Sequence, residues 1–176
     1  MRITISGLPG SGTSTVAKII ASKLDYPLIS AGEIFRELAR KRGYTLEQFG
    51  KIAEQDSEID LYIDKLQKER AEKKENAVVE GRLSGWMVKE AFKVFLFADR
   101  ESRVSRIAKR ENKEIYLARE ETINREKDEE RRYSKFYGID VRDWSNYHLI
   151  LNSGYFDPEN IAEIVFRATE VKISEQ

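Results

Sequence analysis

The feature that most constrains this chain is the run Gly7-Leu8-Pro9-Gly10-Ser11-Gly12-Thr13-Ser14-Thr15. It follows a short β-branched alternation at Arg2 to Ser6 and precedes a helical pattern through Leu24. Gly7, Gly10 and Gly12 let successive backbone N–H groups curve around one point, and a helix directly behind presents the positive end of its dipole there. Strand, loop and helix in that order match the phosphate-cradling pattern G-x-x-x-x-G-K-[ST] at every place but one, because Thr13 stands where lysine is expected. Ser14 fills the last place and offers a hydroxyl suited to Mg2+. The plainer reading, a glycine turn that merely leads into a helix, is disfavoured by the strand before it and the helix after it.

The rest of the chain repeats that alternation. Pro27 to Ser30 reads as a second strand, Ala31 to Lys41 as a helix stopped at Gly43, and Thr45 to Glu54 and Ile59 to Glu75 as two more helices. Asn76 to Glu80 and Val94 to Ala98 are almost wholly apolar, as expected of central parallel strands covered on both faces. Arg100 to Arg110 and Leu117 to Tyr137 read as charged helices and Tyr147 to Leu151 as a fifth strand. Asp157 with Pro158 then opens a last helix running to about Ile173. Five strands alternating with helices predict a doubly wound α/β fold, with ligands at the carboxyl ends of the strands.

Composition narrows the functions. A chain of 176 residues fits one domain, 1–176, and 40% hydrophobic residues are enough for a core. Lys+Arg 31 against Asp+Glu 31 leaves no basic surplus, which argues against a general nucleic-acid binder. The absence of cysteine removes disulfides, zinc–thiolate sites and thiol catalysis, and one histidine, His148, cannot form a histidine metal cluster. No apolar run approaches the roughly 20 residues that span a bilayer, and the chain opens on a strand pattern rather than a secretion signal. The expectation is a cytoplasmic protein without membrane or nucleic-acid partners. With no long apolar interface helix in the pattern, a monomer is expected.

Three further clusters carry chemistry. Val78-Val79-Glu80-Gly81-Arg82 is an apolar strand ending beside the loop: Glu80 could hold Mg2+ through water, Gly81 keeps the backbone open, and Arg82 could clamp a second phosphate. Arg103, Arg106 and Arg110 share one helix face, as do Arg125, Glu129 and Arg132, and such guanidinium forks suit transfer between two anionic substrates. For most arginines in so charged a chain a solvated helix face is the better reading; Arg106, Arg125 and Arg132 are the preferred catalytic exceptions. Ser30, Gly32 and Arg36 make a plausible pocket for a monophosphate, although Ser30 could serve only as a helix cap.

The loop with Gly-Thr in place of Gly-Lys, the segment Ile29 to Arg36, the Glu80-Gly81-Arg82 strand end, and Arg125 to Arg132 with Tyr137-Gly138-Ile139-Asp140 after it together resemble archaeal-type cytidylate kinases over essentially the whole chain. The resemblance implies the P-loop kinase fold of nucleoside monophosphate kinases: a five-stranded parallel sheet with helices on both faces, a helical monophosphate-binding flap at about 31–75 and a short lid at about 109–119. It implies transfer of the γ-phosphoryl of ATP to CMP and dCMP with Mg2+. Gly7 to Thr15 then correspond to the ATP-binding loop, Ser30, Gly32 and Arg36 to the monophosphate site, and Gly81 and Arg82 to a substrate-phosphate contact. Arg125, Glu129 and Arg132 correspond to an arginine–acid–arginine motif that touches CMP in bacterial relatives, where the acid is Asp. Other small kinases of this fold acting on AMP or UMP, a non-catalytic ATP-binding module and an RNA-binding module remain as rivals.

Overall fold

A computed structural model describes residues 1–174. The strands are β1 (Arg2–Gly7), β2 (Leu28–Ser30), β3 (Ala77–Glu80), β4 (Phe92–Phe97) and β5 (Leu149–Asn152). The helices are α1 (Thr13–Leu24), α2 (Ala31–Lys41), α3 (Leu46–Gln55), α4 (Ser57–Glu72), α5 (Ser84–Met87), α6 (Arg100–Glu111), α7 (Ile115–Tyr137) and α8 (Pro158–Ser174). The strands form one parallel sheet in the order β2-β3-β1-β4-β5. The central β1 thus has β3 on one side and β4 on the other, and the crevice at its carboxyl end is where the order switches direction.

The two-residue period of the strands sorts their side chains onto two faces. Ile3, Ile5, Val78, Val94 and Leu96 pack with Val16 and Ile20 of α1 and with Ile161 and Val165 of α8. On the other face Ala77 and Val79 meet Ile34 and Leu38 of α2, Phe49 of α3, and Ile59 and Ile63 of α4. The outer part of that face is closed by Trp144 and Tyr147, whose rings pack on Phe95 at 5.2 and 4.9 Å. Both faces are covered, which is why these strands are almost continuously apolar.

Capping sets the helix boundaries and corrects several expected from the pattern. Thr45 is the N-cap of α3 rather than its first residue: its hydroxyl accepts from the Gln48 N–H at 3.2 Å while Gln48 Oε1 accepts from the Thr45 N–H at 2.9 Å. Asp56 caps α4 by accepting from Glu58 N–H at 3.0 Å, so that helix starts before Ile59. The connector expected at Glu111 to Tyr116 contracts to Asn112–Glu114, with Asn112 left-handed, and α7 starts at Ile115. The short α5 was invisible to periodicity because one turn carries no repeat. His148 lies just outside β5, where its Nδ1 accepts from the Lys93 N–H at 3.0 Å.

Candidate active site

The loop leaves β1 at Gly7 and enters α1 at Thr13. Glycine is required in it for two different reasons. At Gly7 a β-carbon would lie 2.4 Å from Ser11 Oγ and 2.5 Å from the Leu96 carbonyl. At Gly10, φ is +81° and a β-carbon would meet the carbonyl oxygen of Arg103 at 2.5 Å. Gly12 caps α1 with φ +87°, leaving the first helical N–H groups free of any side-chain cap. A turn bond from Ser11 N–H to the Leu8 carbonyl, 3.1 Å, fixes the curve, with Pro9 at its corner. Ser11 is fully buried and its hydroxyl has no hydrogen-bond partner.

Glu80, buried at the end of β3, draws the two sides of the crevice together. Its Oε1 accepts from Thr13 Oγ1 at 2.7 Å and from Ser14 Oγ at 3.0 Å; its Oε2 accepts from Ser30 Oγ at 2.7 Å. Thr13, at the lysine place, therefore supplies a hydroxyl to an acid rather than a charge. Ser30 also caps α2, accepting from Glu33 N–H at 3.4 Å, so capping and the Glu80 contact coexist in one hydroxyl. The donors are hard oxygens only, the set that suits Mg2+, so the residues present fit such an ion. Thr15 and Lys18 are exposed on α1.

Beside Ser30, Gly32 leaves its position open: a β-carbon there would sit 3.6 Å from Ser30 Oγ and 3.7 Å from an Arg36 terminal nitrogen. Arg36 is exposed, one helical turn on. Gly81, expected to keep the backbone open to substrate, is instead buried and closely covered, with Gln67 Oε1 3.0 Å from its would-be β-carbon. That Gln67, buried on α4, donates to the carbonyls of Ile29 at 3.2 Å and Glu80 at 2.6 Å, tying α4 to the strand ends. Sequence reasoning missed it because a glutamine at helical spacing looks like any solvated polar residue.

The arginines divide into two groups. Arg82, Arg103 and Arg106 reach main-chain carbonyls of the loop: Gly7 at 3.1 Å, Pro9 at 3.0 Å and Gly10 at 3.3 Å. Arg106 also donates to the Ser153 carbonyl after β5. Arg125 and Arg132 point to acids instead. Arg125 pairs with Glu129 at 2.9 Å, and Glu129 also takes Arg82 at 3.1 Å. Burial pushes the Glu129 carboxyl up, but the guanidinium groups of Arg82 and Arg125 outweigh it and hold the group below its usual range. Arg132 pairs with Asp60 of α4 at 2.7 Å, and its Nε is buried without a partner. Arg103, Arg106 and Arg110 were expected to act from one face; only the first two turn to the loop, while Arg110 pairs with neighbouring Glu111.

Two acids that the sequence did not single out complete this corner. Asp60 is raised mainly by burial, partly offset by Arg132. Asp64, one turn on, accepts from the Tyr137 hydroxyl at 3.2 Å, and burial lifts it to about 7, with Asp60 and Glu129 adding to the rise. Their spacing marks one face of a helix, yet in a sequence with 31 acids nothing separates them from solvated ones.

A parallel sheet with a glycine loop and helix N-terminus at the switch of strand order defines the P-loop kinase class of α/β proteins. Solved structures with the same fold include a shikimate kinase from Bacteroides thetaiotaomicron (TM-score 0.67, 16% identity, 97% of this chain and 98% of that one). An uncharacterised protein from Eubacterium ventriosum shares it too (TM-score 0.72, 20% identity, 97% and 98%). Residues 2–155 match the cytidylate kinase-like family, and the chain belongs to that family. It is similar to the cytidylate kinase of Archaeoglobus fulgidus, with 60% identity over 98% of this chain and 96% of that one. The cytidylate kinase of Methanocorpusculum labreanum is 51% identical over 94% of each chain.

Proposed function

We propose that the protein transfers the γ-phosphoryl group of ATP to CMP, and also to dCMP, giving ADP and the diphosphate. The observation that carries this reading is Glu80, whose two carboxylate oxygens are shared between the loop hydroxyls of Thr13 and Ser14 and the acceptor-side hydroxyl of Ser30. One buried acid thereby sets the distance between a donor and an acceptor. The cytosine preference is taken from the relatives.

The donor triphosphate lies in the curve of the loop Gly7 to Thr15, against the positive end of the α1 dipole. Ser14, with Glu80 through water, would hold Mg2+, which neutralises charge on the donor oxygens. Ser30, Gly32, Arg36 and Arg82 receive the acceptor, and the unpartnered Nε of Arg132 supplies a donor for its anion. An acceptor phosphate oxygen forms the new P–O bond as the bond from the γ-phosphorus to the β-bridging oxygen breaks. That oxygen is already ionised at neutral pH, so no general base is needed. Arg106, Arg125 and Arg132 offset the charge shared between the two substrates. We assign the flap to 31–75 and the lid to 109–119, the tip of the α6–α7 hairpin, where Ile115, Tyr116 and Leu117 are exposed. Closure of both excludes water and protects ATP from hydrolysis.

An RNA-binding reading is less favoured, because Arg82, Arg103 and Arg132 turn inward onto carbonyls and acids rather than tracking a solvent-facing groove. Among the described residues no helix is long and apolar enough to cross a membrane. A cytoplasmic monomer is our reading of the composition. The test is ADP production from ATP and Mg2+ across CMP, dCMP, UMP, AMP, GMP and no acceptor. Rapid turnover confined to CMP and dCMP is expected; faster turnover with another acceptor reassigns the substrate, and none with any acceptor overturns the reading.

A further inference from the structure

We propose that the Arg103–Glu126 pair is a positioning device for the phosphate-binding loop, through which the helix bearing Arg125 and Arg132 grips the donor site. The inference rests on the reading of Gly7 to Thr15 as that donor site.

Arg103 has a buried side chain, 4% exposed. Its Nε donates to the Ala98 carbonyl at 3.1 Å, and one terminal nitrogen donates both to the Pro9 carbonyl at 3.0 Å and to Glu126 Oε1. The α6 main chain touches the loop as well, since a β-carbon on Gly10 would be 2.5 Å from the Arg103 carbonyl oxygen. The described residues contain no cis peptide bond. In a trans peptide unit C=O and N–H point in opposite directions, so a donor that holds the Pro9 carbonyl from outside aims the Gly10 N–H to the inside of the curve.

Arg82 acts on the Gly7–Leu8 unit in the same way, and its acid is Glu129. Glu126 and Glu129 are three residues apart, so one face of α7 holds two arginines, each braced on a loop carbonyl. The same helix carries Arg125 and Arg132, and its N-terminal turns pack on α6 through Val104, Ile107, Ala108 and Ala118. A displacement of the α6–α7 hairpin is thus passed to the peptide units that bind phosphate.

Stability alone is a poor reason for such a pair. A buried arginine and carboxylate recover little more than their desolvation cost, and apolar replacements of like volume often do as well. What the pair adds is a defined position. That matters more here than in a loop with lysine, because Thr13 brings no charge to the phosphates and more of their binding falls on correctly aimed N–H groups.

The test compares the wild type with Arg103→Gln and Arg103→Lys, reading ATP affinity without acceptor and CMP affinity without donor by calorimetry, together with the thermal midpoint and the steady-state constants. Loss of one charged hydrogen bond to the loop predicts an ATP Kd raised about tenfold in Arg103→Gln, with the CMP Kd unchanged within about twofold. The KM for ATP rises with it while the KM for CMP does not. Arg103→Lys, which keeps the charge but not the simultaneous contacts to Ala98, Pro9 and Glu126, recovers part of the loss. A lowered thermal midpoint with unchanged ATP affinity, or equal weakening of ATP and CMP, overturns the proposal. If Arg103→Gln does not fold, Arg103→Lys decides alone: ATP weakened about threefold with CMP unaffected supports it, and wild-type affinities overturn it. A wild type that binds ATP yet phosphorylates no acceptor removes the kinase reading but not this one; a wild type with no ATP affinity removes both.

Discussion

Around the phosphate-binding loop, guanidinium groups reach main-chain carbonyls at Gly7, Pro9 and Gly10. Across the crevice, α4, part of the proposed flap, meets the rest of the molecule through side chains: Gln67 on the strand ends, Asp60 on Arg132, Tyr137 on Asp64. The loop is defined from outside by contacts that need no particular loop side chain, only glycines where φ is positive or space is absent. The flap corner is held by charged groups that a bound anion can rearrange. A donor with three phosphates is common to many kinases of this fold and suits a fixed cradle, whereas an acceptor that must enter and leave suits a surface whose ion pairs are exchangeable. Beneath that surface Ile59 and Ile63 belong to one apolar cluster with Ala77 and Val79 of the sheet.

The sharpest way to break the comparison is Gly10→Ala. The φ of +81° and the 2.5 Å approach to the Arg103 carbonyl leave no room for a β-carbon, so turnover should fall by at least about a hundredfold and ATP binding should be lost, with CMP binding retained in calorimetry. Retention of ATP affinity would show that the loop is as adaptable as the flap. Next, Arg132→Ala should reduce kcat by roughly a hundredfold while far-UV circular dichroism stays unchanged; wild-type turnover would remove Arg132 from the chemistry. A smaller effect is expected at Arg36, which is exposed and makes no ion pair among the described residues. Arg36→Ala should raise the KM for CMP about tenfold without moving the thermal midpoint or the KM for ATP.

The smallest effect concerns stability. Asp64 has a folded-state pKa of about 7, raised from 3.8 chiefly by burial. Between those values the unfolded chain sheds a proton that the folded chain keeps, so the folded state loses stability as pH rises from about 4 through 7. Asp64→Asn keeps an acceptor for Tyr137 and removes this penalty. Its thermal midpoint should exceed that of the wild type by roughly 3 °C at pH 8, a gain that shrinks as pH falls toward 4. A constant difference across that range would place the effect outside this carboxyl.

Much of the fold was readable along the chain for a local reason. β1, the loop and α1 are contiguous, and β3 and β4 announce themselves by unbroken apolar runs; both signals lie within a few residues. Pattern alone does not give boundaries that caps decide, as at Thr45, where Gln48 reaches back, and at Glu111 to Tyr116, where Asn112 turns the chain in a single left-handed residue. Among the candidate residues, spacing on one helix placed Arg125, Glu129 and Arg132 together. It could not tell that Arg125 faces Glu129 while Arg132 faces Asp60, 72 residues earlier, nor that Arg103, grouped with Arg106 and Arg110, is the buried one.

By itself, the sequence determined the parallel α/β architecture, the glycine loop and the resemblance to a kinase family, because hydrophobic period and glycine placement act over one turn or one strand. Tertiary structure alone decided the use of each charge. It brought Glu80 between Thr13, Ser14 and Ser30, turned three arginines onto loop carbonyls, and set a half-buried Asp64 beside Tyr137. Those outcomes depend on desolvation and on distances between elements far apart in the chain, and a charge takes its pKa and its partner from the space around it rather than from its neighbours in sequence.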